Sequence, residues 1–361
     1  MATMKDIADR LGISLGTVSK GLNDGKDISD ELRKTILDTA VEMGYTNRKA
    51  LKLERRKIAL FVENMDYEEE YSFGYDIVMG FQKASFSEKW NFSVIPLTHD
   101  FQSKNKYDNW MLQEGYSGAF FIGLSLDDPW TEQLRTTTIP SVLLDNSIEQ
   151  NPAVSFVGTD SSEGIEAAIK YLASLGHEKI AFLNGSAGSV ISDNRMAAYL
   201  NSMARCKLTV DPNMAVYGYF VADCAPYHVP GFIDRGATAI LCGNDLIASG
   251  VIKCCNEMGL KVPEDISVIG FDDIPLASKL TPALTTIRQS RTGIGKCAYF
   301  TLYSLINGVP ISRSLLRPEL IIRDSVSIAK PRVAVKREND PDSVMFVNPE
   351  LYAHFSRINM M

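Results

Sequence analysis

From residue 57 to about 330, short apolar runs of β-forming residues alternate with amphipathic stretches of helical period, and this alternation constrains the fold most. It predicts strands at Lys57–Val62, Phe92–Leu97, Gly118–Gly123, Ser141–Leu144, Lys179–Leu183, Ala239–Gly243 and Ser267–Phe271. Helices fall between them, as in Ser161–Leu175, where Ile165, Ala168, Ile169 and Leu172 recur at helical spacing. Near-continuous apolar strands separated by helices belong to parallel sheets covered on both faces. Their number exceeds what one sheet comfortably holds, so two Rossmann-like lobes are expected. An apolar content of 45% supports real cores and excludes wholesale disorder. No apolar stretch approaches the roughly 18–20 residues that span a bilayer. Asp6 and Asp9 stand where a secretory segment would be apolar, so a cytoplasmic protein without a membrane partner is expected.

The first 57 residues read differently. They hold 12 Lys/Arg against 9 Asp/Glu, a balance of +3, whereas the remainder carries −10 within a net −7. A small basic module on an acidic body hints at local anion binding. Thr3 can cap a helix from Met4 to Leu11, which Gly12 ends. Ser14 can cap a second from Leu15 to about Asn23, burying Val18 and Leu22 and exposing Gly16, Thr17, Ser19 and Lys20. A third helix follows Ser29. Two short helices joined by a tight turn containing Gly form a helix-turn-helix. The hydroxyls of Thr17 and Ser19 and the ammonium of Lys20 suit phosphates and base edges. A three-helix protein-binding module is the alternative.

Enzyme signatures are missing. No G-x-G-x-x-G follows a strand, and Gly293-Ile294-Gly295-Lys296 lacks the remaining residues of a phosphate loop and reads as a helix start. Gly185-Ser186-Ala187-Gly188 could cradle an anion or simply turn. The cysteines at 206, 224, 242, 254, 255 and 297 form no C-x-x-C, and no H-E-x-x-H occurs. Reduced, apolar thiols, no metal and no cofactor are expected.

Met4-Lys5-Asp6-Ile7-Ala8, Gly12-Ile13-Ser14, Thr17-Val18-Ser19-Lys20, Leu22-Asn23 and Glu42-Met43-Gly44-Tyr45 resemble the headpiece of the LacI/GalR family of bacterial repressors. The resemblance continues through Val157-Gly158-Thr159-Asp160, Leu175 to Phe182, Gly243-Asn244-Asp245, Gly259 to Asp273, and Leu284 to Gln289. It implies an N-terminal all-α helix-turn-helix headpiece (1–46) and a hinge (47–57). An α/β two-lobed type I periplasmic-binding-protein-like body (58–325) and a C-terminal extension (326–361) follow. Lobe 1 would comprise about 58–157 and 289–320, and lobe 2 about 158–288 and 321–330. Leu15 and Gly16 match the principal base-reading positions, and Thr3, Thr17, Ser19, Lys20 and Asn23 join them as expected DNA contacts. Leu53 matches the leucine wedged into the minor groove, as apolar wedges are generally. The proline usual after the family's tyrosine is absent here, and the linker is short.

Open α/β sheets bind ligands beyond the carboxyl ends of their strands, where Asp145, Asn244 and Asp272 fall. Two carboxylates and an amide suit vicinal hydroxyls. The resemblance adds Arg195, stacking Phe220, polar Gln289 at a crossover, and Tyr71 and Phe73 after the first strand. Aromatic faces with bidentate polar groups fit a sugar ring. Ala198 and Arg291 depart from the family pattern, and an arginine at the cleft mouth leaves a phosphorylated or acidic effector open. The expected protein is a homodimeric repressor of carbohydrate genes. It would bind a pseudo-palindromic operator and a sugar-type effector. A cytoplasmic sugar sensor acting through protein partners is the alternative. The 326–361 tail is expected to pack on lobe 2 or a dimer mate.

Overall fold

A computed structural model describes residues 2–22, 27–45, 57–70 and 72–330. The expected hinge apart from Lys57, Asn23, Leu53, Tyr71 and the tail beyond residue 330 lie outside the described residues.

The headpiece consists of α1 (Met4–Leu11), α2 (Leu15–Leu22) and α3 (Asp30–Glu42). Thr3 and Asp6 form a reciprocal capping box, and Gly12 closes α1 in the left-handed region at φ 64°. Ser14 Oγ accepts the Thr17 N–H at 3.0 Å, opening α2, and Ser29 caps α3. Ile7, Val18, Leu22, Ile36 and Ala40 are buried between the three helices.

Lobe 1 begins with β1 (Lys57–Val62), α4 (Phe73–Ser87), β2 (Asn91–Pro96), α5 (His99–Lys104) and α6 (Tyr107–Gln113). It continues with β3 (Ala119–Ile122), α7 (Pro129–Leu134), β4 (Ser141–Leu144) and β5 (Val154–Thr159). The chain then crosses to lobe 2, built from α8 (Ser161–Ser174), β6 (Ile180–Asn184), α9 (Val190–Arg205), β7 (Ala215–Tyr217) and α10 (Ala225–Asp234). After these come β8 (Ala239–Cys242), α11 (Asp245–Glu257), β9 (Ser267–Asp272), α12 (Pro275–Lys279) and β10 (Thr285–Arg288). It returns as α13 (Arg291–Ile306) and β11 (Arg313–Leu316), then crosses once more to β12 (Glu319–Ile321).

Among the described residues the strand order is β11-β5-β4-β3-β1-β2 in lobe 1 and β12-β10-β9-β8-β6-β7 in lobe 2. Pairing is parallel except for β12, which runs antiparallel to β10. The predicted strands are all present, with ends shifted by a residue or so. Not predicted were β5, β7, β10, β11 and β12. Edge strands β7, β11 and β12 lack fully buried positions, so they carry no continuous apolar run. Gly293 and Gly295 lie inside α13, where Gly295 faces the α4 backbone at Ile77, so this segment is a helix contact and not a phosphate loop. The segment after β12 stays on lobe 2: Val268 N–H donates to Ser325 O at 2.8 Å, and His177 bridges Thr238 Oγ1 and Ser327 O at 2.9 Å each. Cys224, Cys242, Cys254 and Cys255 are buried thiols, and Cys206 and Cys297 are half-buried.

Candidate functional site

The C-terminal ends of both sheets face a cavity of about 670 Å³ between the lobes. Phe73, Asp145, Arg195, Phe220, Asn244, Asp272 and Gln289 all line it. Three of these hold left-handed backbone conformations that side chains rarely adopt: Asp145 (φ 53°), Phe220 (58°) and Asp272 (108°). Strain of this kind clusters where a side chain must be aimed rather than packed.

Arg195 projects from α9 into the cavity wall and is 3% exposed. Its guanidinium lies over the Phe271 ring at 3.8 Å. Nη1 donates to Gly243 O at 2.6 Å, and Nη2 stands 4.0 Å from Asp272 Oδ1. Its Nε is buried without a hydrogen-bond partner. Burial works against the charge of this group, and Asp272, Asp145 and Asp245 oppose that effect.

Gln289, at the crossover, donates from Nε2 to Asp272 Oδ1 at 2.7 Å. Burial pushes Asp272 up to about 6 despite Arg195 beside it and the Gln289 bond. Burial does the same to Asp145, also about 6, where Arg195 pulls down and Asp272 pushes up. One Asp145 oxygen, Oδ1, is buried without a partner. Burial thus raises both carboxyls, and in the ionised form each presents acceptor oxygens toward the cavity.

Asn244 lines the cavity and is also engaged locally. Its Oδ1 accepts the Ile247 N–H at 2.8 Å, capping α11, while Nδ2 donates to Phe220 O at 3.0 Å. The amide thus holds Phe220 in its left-handed turn. The Phe220 ring covers Gly185, where any Cβ would collide with it. The Gly185 face is therefore closed to an anion, although Gly188 and Ser189 line the cavity.

Arg291 requires a correction. Its Nε donates to Asp76 Oδ2 at 2.9 Å, and Nη1 to the carbonyls of Asp272 and Asp273 at 3.2 and 3.1 Å. Asp76 belongs to lobe 1 and the two carbonyls to lobe 2, so the guanidinium is spent as an interlobe tie outside the main cavity. It does not reach in for an acidic effector.

The sequence reading missed most of the apolar wall: Met65, Leu124, Leu126, Val190, Ile191 and Leu246. The first three follow β1 and β3. The strand-end rule that found Asp145 reaches them too, but apolar loop residues carry no chemical signature.

On the headpiece, Leu15 is 51% exposed and Gly16 is open, with only Ser14 Oγ near where a Cβ would sit. Lys20 is exposed and pairs with Asp27 at 3.0 Å. Thr17 and Ser19 do not share one exposed face: both are half-buried, because residues two apart on a helix point in different directions. The Thr17 hydroxyl meets Ser14 Oγ at 2.8 Å, and the Thr3 hydroxyl is engaged with Asp6 at 2.7 Å. The exposed positions of α2 are thus Leu15, Gly16 and Lys20. Among the described residues no group of three or more His, Cys, Asp or Glu could hold a metal, and no helix is long and apolar enough to cross a membrane.

Residues 3–47 match the family profile of bacterial regulatory proteins of the lacI family, and residues 169–326 match a periplasmic binding protein-like domain. A probable HTH-type transcriptional repressor ExuR of Bacillus subtilis (strain 168) is 30% identical over 335 residues, covering 90% of this chain and 98% of its own. The HTH-type transcriptional repressor PurR of Vibrio atlanticus (strain LGP32) is 27% identical, covering 90% and 99%. Among solved structures, the lac repressor dimer bound to operator and an anti-inducer superposes with a TM-score of 0.64 at 25% identity, covering 90% and 99%. A transcriptional regulator CelR–cellobiose complex superposes at 0.67 and 24% identity, covering 90% and 100%. With a helix-turn-helix headpiece, two lobes joined by three crossovers and a relative matched along nearly its whole length, the chain belongs to the LacI family of bacterial regulatory proteins.

Proposed function

We propose that this protein is an effector-responsive transcriptional repressor of carbohydrate-metabolism genes. It works in the cytoplasm by binding, not by catalytic turnover. Residues 1–46 form the DNA-binding unit, 47–57 the linker, 58–325 the effector domain and 326–361 an extension. Two copies bind a pseudo-palindromic operator through Leu15, Gly16 and Lys20, with Thr3, Thr17, Ser19 and Asn23 supporting the contact. Leu53 supplies the minor-groove wedge. The printed names of the relatives support repression, and the operator-bound lac repressor dimer supports the dimeric arrangement.

The observation that carries the effector class is the charge of the cavity wall. Among the described residues Asp66, Asp145 and Asp272 line it against a single arginine, Arg195, whose Nη1 is already bonded to a carbonyl. With Arg291 committed elsewhere, an anionic effector would face net repulsion. A neutral, hydroxyl-rich ring donates to Asp145 and Asp272, accepts from Arg195, and lays its C–H face on Phe73 and Phe220. The cellobiose in the CelR complex fits this class. Tyr71 follows β1 in sequence and is proposed as a further contact.

Titration calorimetry against neutral mono- and disaccharides, sugar phosphates, uronates and purines tests this. Heat from a neutral sugar alone is expected; saturable binding of only phosphorylated or carboxylated ligands would overturn the class. Gel-shift on DNA upstream of the gene, with and without that sugar, tests repression. Lack of salt-sensitive, sequence-selective binding there would instead favour a sensor working through protein partners.

A further inference from the structure

The headpiece does not stand apart from the body. Asn109 Nδ2, on α6 of lobe 1, donates to Asp38 Oδ1 on α3 at 2.8 Å, and Lys106 Nζ lies 3.8 Å from the same oxygen. Beneath this polar rim the apolar core is continuous. The cluster holding Ile7, Val18 and Ile36 of the headpiece extends without a break to Tyr107, Met111 and Trp130 of lobe 1. The seat itself is well anchored: the Tyr107 hydroxyl meets Ser141 Oγ at 2.7 Å, its N–H donates to Gln133 Oε1 at 2.8 Å, and Trp110 stacks on Tyr116 with centroids 5.4 Å apart.

The docked face is not the reading face. Leu15 and Lys20 of α2 remain exposed while α3 is held. Only residues 46–56, an eleven-residue segment, join the two parts covalently. A headpiece held only by such a tether must be oriented afresh at each encounter with DNA, and pre-orienting it removes that cost. In sequence α6 is followed by β3, and Gly123 and Leu124 just beyond β3 line the cavity.

We propose that the outer face of α6 is a docking surface for this chain's own headpiece, latched by Asp38 to Asn109 and Lys106, so that the headpiece moves with lobe 1. This rests on the DNA-binding reading for its consequence, though not for the docking itself.

The test uses the full chain in three forms: wild type, Asp38→Lys, and Asp38→Lys with Lys106→Asp. Without DNA, amide hydrogen exchange over residues 107–113 and 30–42 reads docking directly. It should rise by about tenfold in Asp38→Lys, where two lysines now repel, and return in the swapped pair, with the melting of the lobes unchanged. Unchanged exchange in Asp38→Lys overturns the docking surface. The second reading is affinity for a DNA enriched from a random pool by the wild type. Asp38→Lys adds a cation to the headpiece, which on charge alone strengthens DNA binding. The docking role predicts the opposite, a loss of about tenfold restored by the swap. Equal or tighter binding by Asp38→Lys refutes the proposed consequence. If the pool yields no enriched DNA, the repressor reading fails while the exchange result still decides the docking surface.

Discussion

Arg291 is a single guanidinium with an outsized reach. It holds Asp76 of α4 on one side and the carbonyls of Asp272 and Asp273 on the other. Those two residues sit at φ 108° and 52°, so their backbone needs outside support to keep the Asp272 carboxylate aimed at the cavity. Arg291→Ala should weaken binding of the sugar identified by calorimetry by about tenfold, roughly 1.4 kcal/mol, without touching the ligand itself. Unaltered affinity would show that Asp272 holds its geometry alone. Two further carboxyls set the pH response. Burial lifts Asp245 from 3.8 to about 8, with Asp272 adding to the rise, although Thr286 and the Ile274 N–H hydrogen-bond to it. Burial also lifts Glu63 from 4.5 to about 8, reinforced by Asp128 and opposed by the Gln102 bond at 2.7 Å. Each keeps its proton to about pH 8 when folded but loses it near pH 4 when unfolded. The folded chain therefore binds more protons across that window, and stability should be fullest below pH 4 for these groups and fall as pH rises to 8. Thermal melts at pH 5 and pH 8 should show the drop, and Asp245→Asn should reduce it. An identical slope in the variant would remove Asp245 as a cause.

At the scale of elements, the contact that binds the returning chain to lobe 1 is the crossing of α4 and α13. A Cβ at Gly80 would enter the Thr292 carbonyl, and one at Gly295 would enter that of Ile77. Backbone meets backbone there, with no flexible side chain able to yield. Gly295→Ala and Gly80→Val should each destabilise the protein by about 2–3 kcal/mol, read as a lower denaturant midpoint with little change in slope. A midpoint within error of wild type would mean that the helices separate freely. From sequence Gly293 and Gly295 mimic part of a phosphate loop, because glycine for close helix packing and glycine for anion approach look alike until the neighbouring helix is present. The headpiece helices were more legible. Thr3, Gly12, Ser14 and Ser29 act through bonds to their own neighbours, so their roles follow from local order alone.

The whole molecule divides its charge unevenly, +3 on the first 57 residues and −10 on the rest. On the proposed reading, the acidic body repels DNA and Lys20 with its neighbours is the point of contact. Operator affinity should therefore drop by at least about tenfold between 50 and 200 mM salt, measured by fluorescence anisotropy. A flat salt response would place the binding energy elsewhere. Read alone, the sequence determined what depends on short-range order: the three capped helices, the strands buried on both faces, the charge division, and the carboxylates and amide just beyond the strand ends. The tertiary structure decided what depends on distant segments meeting. It turned Arg291 from a prospective ligand contact into an interlobe tie, gave Asn244 the task of holding Phe220, and seated α3 on α6. The physical reason is common to all three. A helix cap or a strand's periodicity is encoded within a few neighbouring residues, whereas the partner of a guanidinium or an amide is chosen by which backbone the fold brings within 3 Å of it.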